Sequence, residues 1–104
     1  MTIASDRLPF QEECFMLVPP DTYGIYGLWS SAELIYYGAA TPVDGNIRDW
    51  LRAHKKEEDR AIKRCPYHPA YFQWEPNPDP NKRRKELLAI YRESHNGELP
   101  LCNR

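Results

Sequence analysis

Residues 24–38 read Gly-Ile-Tyr-Gly-Leu-Trp-Ser-Ser-Ala-Glu-Leu-Ile-Tyr-Tyr-Gly, and this stretch decides the fold. Two apolar runs flank a short polar stretch, which predicts a β-hairpin. Tyr26 and Tyr36 are ten residues apart, an even separation that places both phenols on one face of the hairpin. With a turn centred on Ser31, the two rings would lie directly opposite each other. Such a pair is either cross-strand packing or part of a reaction site, and the hairpin alone leaves both interpretations open.

Two helices are predicted from their caps and apolar spacing. Asn46 is a good N-cap for a helix that reaches to about Asp59. A second helix of about fifteen residues begins after Asp79 or Asn81, with Pro80 in its first turn. Between them, Ala70-Tyr71-Phe72-Gln73-Trp74-Glu75 is aromatic-rich and predicts a third strand. Residues 1–13 are polar and irregular, and we expect a loose arm or a short edge element there.

Composition restricts the class of protein. A chain of 104 residues with a formal net charge of −1 predicts one domain without a global positive field. The three cysteines are odd in number and lack framework spacing, which predicts reduced thiols. The N-terminus lacks a secretion signal, and the longest apolar stretches are far too short for a bilayer span. These features predict a cytoplasmic protein that has no membrane partner.

Further motifs follow the hairpin in a fixed order. They are the helix-like run Asn46 to His54, the run Glu86-Leu87-Leu88-Ala89-Ile90-Tyr91, and the closing Leu99-Pro100-Leu101-Cys102-Asn103. Together with the short runs Gly24-Ile25-Tyr26 and Tyr36-Tyr37-Gly38, these motifs resemble the GIY-YIG nuclease domain. The resemblance covers most of the chain, from about Tyr23 to Asn103. The resemblance implies an α+β fold, in which a small three-stranded, mainly antiparallel sheet is flanked by helices.

The resemblance also implies a metal-dependent endonuclease that hydrolyses DNA phosphodiester bonds. Tyr36 matches the tyrosine that takes or relays the proton of the attacking water, and Tyr26 matches its supporting tyrosine. Glu86 matches the sole protein ligand of a Mg²⁺ or Mn²⁺ ion, a normal arrangement when phosphate and water complete the shell. Asn103 matches the asparagine that braces the site. His54 lies where family members often carry a histidine, and it is either a core residue or a neighbour of the site.

One position departs from the family pattern. Aligning the first helix with the family puts Trp50 where an arginine normally stabilises the phosphate. Arg48 could enter the site if the long loop Thr41–Gly45 shifts the helix, and this makes Arg48 a candidate catalytic residue. Another cation could replace it; Lys82, Arg83 and His54 are the candidates. The third interpretation is a domain that has lost catalysis and kept the fold.

Two other functions compete with the nuclease. The first is a non-catalytic module of the same fold that binds nucleic acid or a protein partner. The second is a structural zinc site, because Cys65-Pro66-Tyr67-His68 has a metal-like spacing that His54 and Cys102 could complete. In either the nuclease or the module, a small lone domain is expected to draw specificity from a protein partner or a homo-oligomer.

Overall fold

The predicted hairpin forms part of an antiparallel sheet. The computed structural model describes residues 2–56 and 68–103, and in it strands β2 (Gly24–Trp29) and β3 (Leu34–Ala40) pair with each other. Strands β1 (Leu8–Pro9) and β4 (Tyr71–Pro76) complete the sheet in the order β1-β4-β2-β3. The prediction of an α+β fold is confirmed, but within this part of the chain the sheet has four strands rather than three.

The register of the hairpin differs from the predicted one. Tyr26 is paired with Gly38, and Leu28 is paired with Tyr36, so the two tyrosines are diagonal neighbours on the same face. The reason lies in the turn, where the N–H of Ser30 donates to the carbonyl of Glu33 at 2.9 Å. This bond closes a four-residue loop. Next to the loop the pairing register shifts between Leu28 and Trp29, since Trp29 pairs with Leu34 and Leu28 with Tyr36.

Both predicted helices begin at the expected residues. The Asn46 side chain accepts from the N–H of Asp49 at 2.8 Å and caps α2 (Ile47–Lys55). The Asp79 side chain accepts from the N–H of Lys82 and caps α3 (Pro80–Ser94), whose 15 residues match the predicted length. A short helix, α1 (Glu12–Phe15), precedes β2. The predicted continuation of α2 from residue 57 to Asp59 lies outside the described residues.

The N-terminal region is packed against the domain, so of the two alternatives predicted for residues 1–13 the structure shows a short edge element rather than a loose arm over residues 2–13. Ile3 and Phe10 are each only 5% exposed. Leu8 and Pro9 pair with β4 as an edge strand, and a proline is tolerated at such an edge. The apolar side chains at positions 3 and 10 give this segment hydrophobic contacts, which its polar neighbours obscured in the sequence.

The sheet has an apolar cluster on each face. On one face α1 and α2 cover a cluster that includes Phe15, Leu28, Ile47, Leu51 and Phe72. On the other face α3 covers a smaller cluster that includes Ile25, Leu34, Tyr37 and Leu87. We call these the α2 face and the α3 face. Tyr26 and Tyr36 belong to the α2 face, whereas Tyr37, the residue between Tyr36 and Gly38, belongs to the α3 face.

Two sequence-based expectations about the cellular setting meet the structure differently. Cys14 is a free thiol, but Cys102 is disulfide-bonded, so the prediction of reduced cysteines is wrong for Cys102. Within the described residues, no helix combines the length and the apolar character that a membrane span requires. The cytoplasmic location stays a prediction.

The ring of Tyr26 lies directly on the backbone of Gly38. A Cβ atom at position 38 would lie 2.2 Å from Cζ of Tyr26 and 2.4 Å from its hydroxyl oxygen. Because Tyr26 is only 2% exposed, its ring has little room to move aside. The absence of a side chain at Gly38 therefore lets Tyr26 cross over the edge strand β3.

We expect Gly38→Ala to destabilise the protein by at least about 1–3 kcal/mol, the usual cost of overpacking a core. Gly27→Ala is the matched control, since its Cβ would meet Leu34 and Tyr37 at 3.3 and 3.4 Å, a much milder contact. Urea unfolding measures both. In a Tyr26→Ala background the cost of Gly38→Ala should shrink, because the clashing ring is gone. Equal costs for the two glycines would contradict this account.

Candidate functional site

Four side chains meet on the α2 face and form what we call the tyrosine–histidine cluster, namely Tyr26, Tyr36, Trp50 and His54. A hydrogen bond of 2.8 Å joins the hydroxyl of Tyr26 to Nε2 of His54. The ring centroid of Tyr36 lies 6.2 Å from that of Tyr26 and 5.5 Å from that of His54. Tyr26 and His54 are buried, whereas Tyr36 is half-buried. The cluster is thus a buried polar pair beneath a partly accessible phenol.

Helix α2 supplies the histidine side of the cluster. Trp50 and His54 are one helical turn apart and lie on the same face, with ring centroids 6.1 Å apart. Ile47 and Leu51, on the same helix, are fully buried and hold it against the sheet. Because the capped start of α2 fixes its position, the imidazole of His54 is presented to Tyr26 from the turn after the one that carries Trp50. His54 was predicted as either core or site neighbour, and it is both buried and in contact with Tyr26.

Asn103 fixes the peptide groups next to Tyr36. Its side-chain oxygen accepts from the N–H of Tyr37 at 2.8 Å, and its Nδ2 donates to the carbonyl of Tyr37 at 3.1 Å. The two bonds hold the backbone of β3 one residue beyond the half-buried phenol. Asn103 therefore contacts the backbone beside the cluster, and its amide braces β3 at this point.

Arg48 does not bring its charge to the tyrosine–histidine cluster. Its Nε donates to the carbonyl of Val18 at 3.0 Å, and one terminal nitrogen donates to the carbonyls of Val18 and Met16 at 2.7 and 3.1 Å. These bonds tie α2 to the segment after α1. Trp50, which the resemblance predicts to stand in place of an arginine, lies beside His54. Among the described residues its buried indole N–H has no hydrogen-bond partner.

Glu86 lies on an exposed part of α3. Its carboxylate is 50% exposed and lies 3.5 Å from a guanidinium nitrogen of Arg83. Arg83 also donates to both carboxylate oxygens of Glu75 on β4, at 2.8 and 3.2 Å, and these bonds raise the pKa of Arg83 above its ordinary value. The charge next to Glu86 is therefore permanent. Lys82 is exposed one residue before Arg83.

The metal-site predictions differ in how well the residues fit them. Within residues 2–56 and 68–103, no group of three or more His, Cys, Asp and Glu side chains could hold a metal ion. A single accessible carboxylate such as Glu86 still fits a Mg²⁺ ion, which keeps several water ligands. The zinc alternative fits poorly because Cys102 is disulfide-bonded and offers no thiolate; residues 65–67 of its motif lie outside the described residues.

Sequence reasoning missed two contributions to this region. Gly38 accommodates the ring of Tyr26, a cross-strand contact that the sequence pattern did not indicate. The backbone of Tyr37 is the partner of Asn103, which no local pattern indicates. The even spacing of the tyrosines was the only local signal for the cluster itself.

Comparison of the chain with protein-family models, with curated proteins and with solved structures finds no match. The function must therefore be argued from the geometry of the cluster and from the motifs.

We expect Asn103→Ala to expose the amide of Tyr37 to solvent exchange and to destabilise the protein by about 1–3 kcal/mol, because both backbone bonds are lost. Asn103→Asp is the matched variant, since a carboxylate still accepts from the N–H but cannot donate to the carbonyl. Amide hydrogen exchange at Tyr37 should stay slow in Asn103→Asp and become fast in Asn103→Ala. Unchanged protection in Asn103→Ala would show that the amide does not brace β3.

Proposed function

We propose that this chain is a metal-dependent endonuclease that hydrolyses DNA phosphodiester bonds with the tyrosine–histidine cluster. The observation that carries the proposal is the buried hydrogen bond between Tyr26 and Nε2 of His54 beneath the half-buried phenol of Tyr36. The arrangement supports the proposal because it sets an imidazole, a common proton acceptor in enzymes, beside a phenol that solvent can reach.

In the proposed reaction a water molecule attacks phosphorus, and the bond from phosphorus to the leaving oxygen breaks. Tyr36 takes or relays the proton of the water. Tyr26 and His54 place polar groups beside the Tyr36 phenol. An imidazole ordinarily changes charge near neutral pH, which suits it to accept a relayed proton. Asn103 keeps the backbone beside Tyr36 in place.

Glu86 is the proposed metal ligand. Its half-exposed carboxylate can bind Mg²⁺ or Mn²⁺ together with substrate phosphate and water. A divalent ion held there would stabilise the negative charge that develops on the phosphate. Arg83, fixed by Glu75, places a positive charge beside the Glu86 carboxylate. Specificity would come from a protein partner or a second copy of the chain.

A second candidate function is supported by the residue at position 50, where the resemblance predicts an arginine. Trp50 stands there, and the guanidinium of Arg48 is bonded to backbone carbonyls. Losing one transition-state donor typically lowers a rate by about 10²–10³. A module that binds nucleic acid or a protein partner without cleaving is therefore the alternative.

We expect cleavage of labelled single-stranded, duplex or branched DNA in Mg²⁺ or Mn²⁺, and a fall of about 10²–10³ in rate for Glu86→Gln. Tyr36→Phe should lower the rate by about 10²–10⁴ because the proton acceptor is lost. Glu93→Gln removes another exposed carboxylate of the same helix and should cleave like the parent protein.

Equal activity in all four proteins would identify a contaminating nuclease. Absence of cleavage with both metals on every substrate would overturn the nuclease proposal, and retained DNA binding in that case would support the module.

We further expect Trp50→Arg to raise the cleavage rate by about 10²–10³, because it returns a guanidinium to the position beside His54. Trp50→Leu is the control, since it removes the indole without adding charge. The indole N–H makes no hydrogen bond within the described residues, so neither change breaks one. A rate that rises equally in both variants would show that the bulk of Trp50, rather than a missing cation, limits catalysis.

A further inference from the structure

The α3 face carries a cavity that the proposed nuclease site does not use. It has a volume of about 350 Å³ and lies between the end of the β2–β3 hairpin, the second half of α3 and the N-terminal segment around Ile3. This volume is within the range of small-molecule sites, about 300–1,000 Å³. Tyr37, in its wall, faces away from Tyr36, so the sheet separates the cavity from the tyrosine–histidine cluster.

Aromatic rings form much of the cavity wall. Trp29, Tyr37 and Tyr91 line it, and the ring of His95 stacks on Tyr91 with centroids 3.6 Å apart and planes 2° apart. Gly27 lies beneath Tyr37, where a Cβ atom would meet Cε1 of that ring at 3.4 Å. The aromatic wall is therefore supported from behind by the sheet and from the side by α3.

The polar groups of the wall are mostly engaged or neutral. The indole N–H of Trp29 donates to Oε1 of Gln73 at 2.9 Å, and Nε2 of Gln73 donates to the carbonyl of Ser5 at 2.6 Å. Burial raises the pKa of Tyr37, so its phenol is neutral at physiological pH. The wall thus offers aromatic rings, and besides its tyrosines its titratable side chains among the described residues are Glu33 and His95.

The charge of the wall favours a cation. Glu33 contributes an exposed carboxylate, and among the residues that the structure describes no lysine or arginine lines the cavity. The electron-rich faces of tryptophan and tyrosine attract cations. Trp29 already does so at one face, where Cζ of Arg7 lies 4.6 Å from the ring centroid. Arg7 is not part of the cavity wall.

We propose that this cavity binds a small organic cation, whose ammonium group lies against the rings of Trp29, Tyr37 and Tyr91 and pairs with the carboxylate of Glu33. The site is distinct from the tyrosine–histidine cluster, because it lies on the opposite face of the sheet, and Glu86 is not among the residues that line it. A free alkylammonium compound and a methylated lysine side chain share this chemistry.

The test uses the full chain labelled with ¹⁵N and follows the indole N–H signal of Trp29 during titration. The first probe is choline, and the matched probe is 3,3-dimethylbutan-1-ol, which has the same shape without the charge. We expect a saturable shift with choline and an affinity about tenfold above that of the alcohol. A trimethyllysine peptide is the third probe, and tighter binding than choline would assign the cation to a peptide side chain.

Two variants test the named residues. Glu33→Gln should weaken choline binding several-fold. The control Glu13→Gln removes an exposed carboxylate on α1, away from the cavity, and should leave choline binding unchanged. Tyr91→Leu should also weaken it, with the fold checked by the remaining spectrum. No saturable shift with choline or with the trimethyllysine peptide, or equal affinities for choline and the alcohol, would overturn the proposal. Choline binding that is unchanged in both Glu33→Gln and Tyr91→Leu would also overturn it.

Discussion

The contact of the Tyr26 ring with the bare backbone of Gly38 is the constraint on which the α2 face depends. It lets a buried phenol cross the edge strand and reach Nε2 of His54. Strand β2, strand β3 and helix α2 are thereby joined through one side chain. A buried polar pair is costly unless both members are satisfied, so the position of α2 and the register of the hairpin are coupled to each other through this hydrogen bond.

The residues of the proposed chemistry lie in two separate parts of the structure. The phenols and the imidazole meet on the α2 face, whereas the accessible carboxylate of Glu86 lies on α3. Arg48, on the helix where a phosphate-binding cation is expected, spends its guanidinium on the carbonyls of Met16 and Val18. That use has a structural benefit, because three of its hydrogen bonds hold the segment after α1 against α2. The guanidinium of Arg48 therefore attaches the segment after α1 to α2.

Local patterns predicted the parts of the fold that local physics controls. The helix starts at Asn46 and Asp79 followed from cap chemistry, which acts within a few residues, and the third strand followed from its run of aromatic residues. The predicted register of the hairpin was wrong, because a four-residue turn closed by the hydrogen bond from Ser30 to Glu33 shifts the strand pairing. The packing of Ile3, the bond from Asn103 to Tyr37 and the loss of Arg48 from the cluster depend on partners 30 or more residues away. Sequence spacing holds no information on such partners.

The position of Asn103 has a consequence for how this protein meets other copies of itself. Strand β3 is an edge strand, and edge strands offer unpaired N–H and C=O groups to any extended chain. The Asn103 amide occupies both groups of Tyr37 as a residue of a neighbouring strand would. The Asn103 amide therefore blocks the pairing of a further strand at the middle of β3. A second chain that paired along the whole of β3 would have to displace this amide, so removal of the Asn103 side chain would favour edge-to-edge pairing at β3.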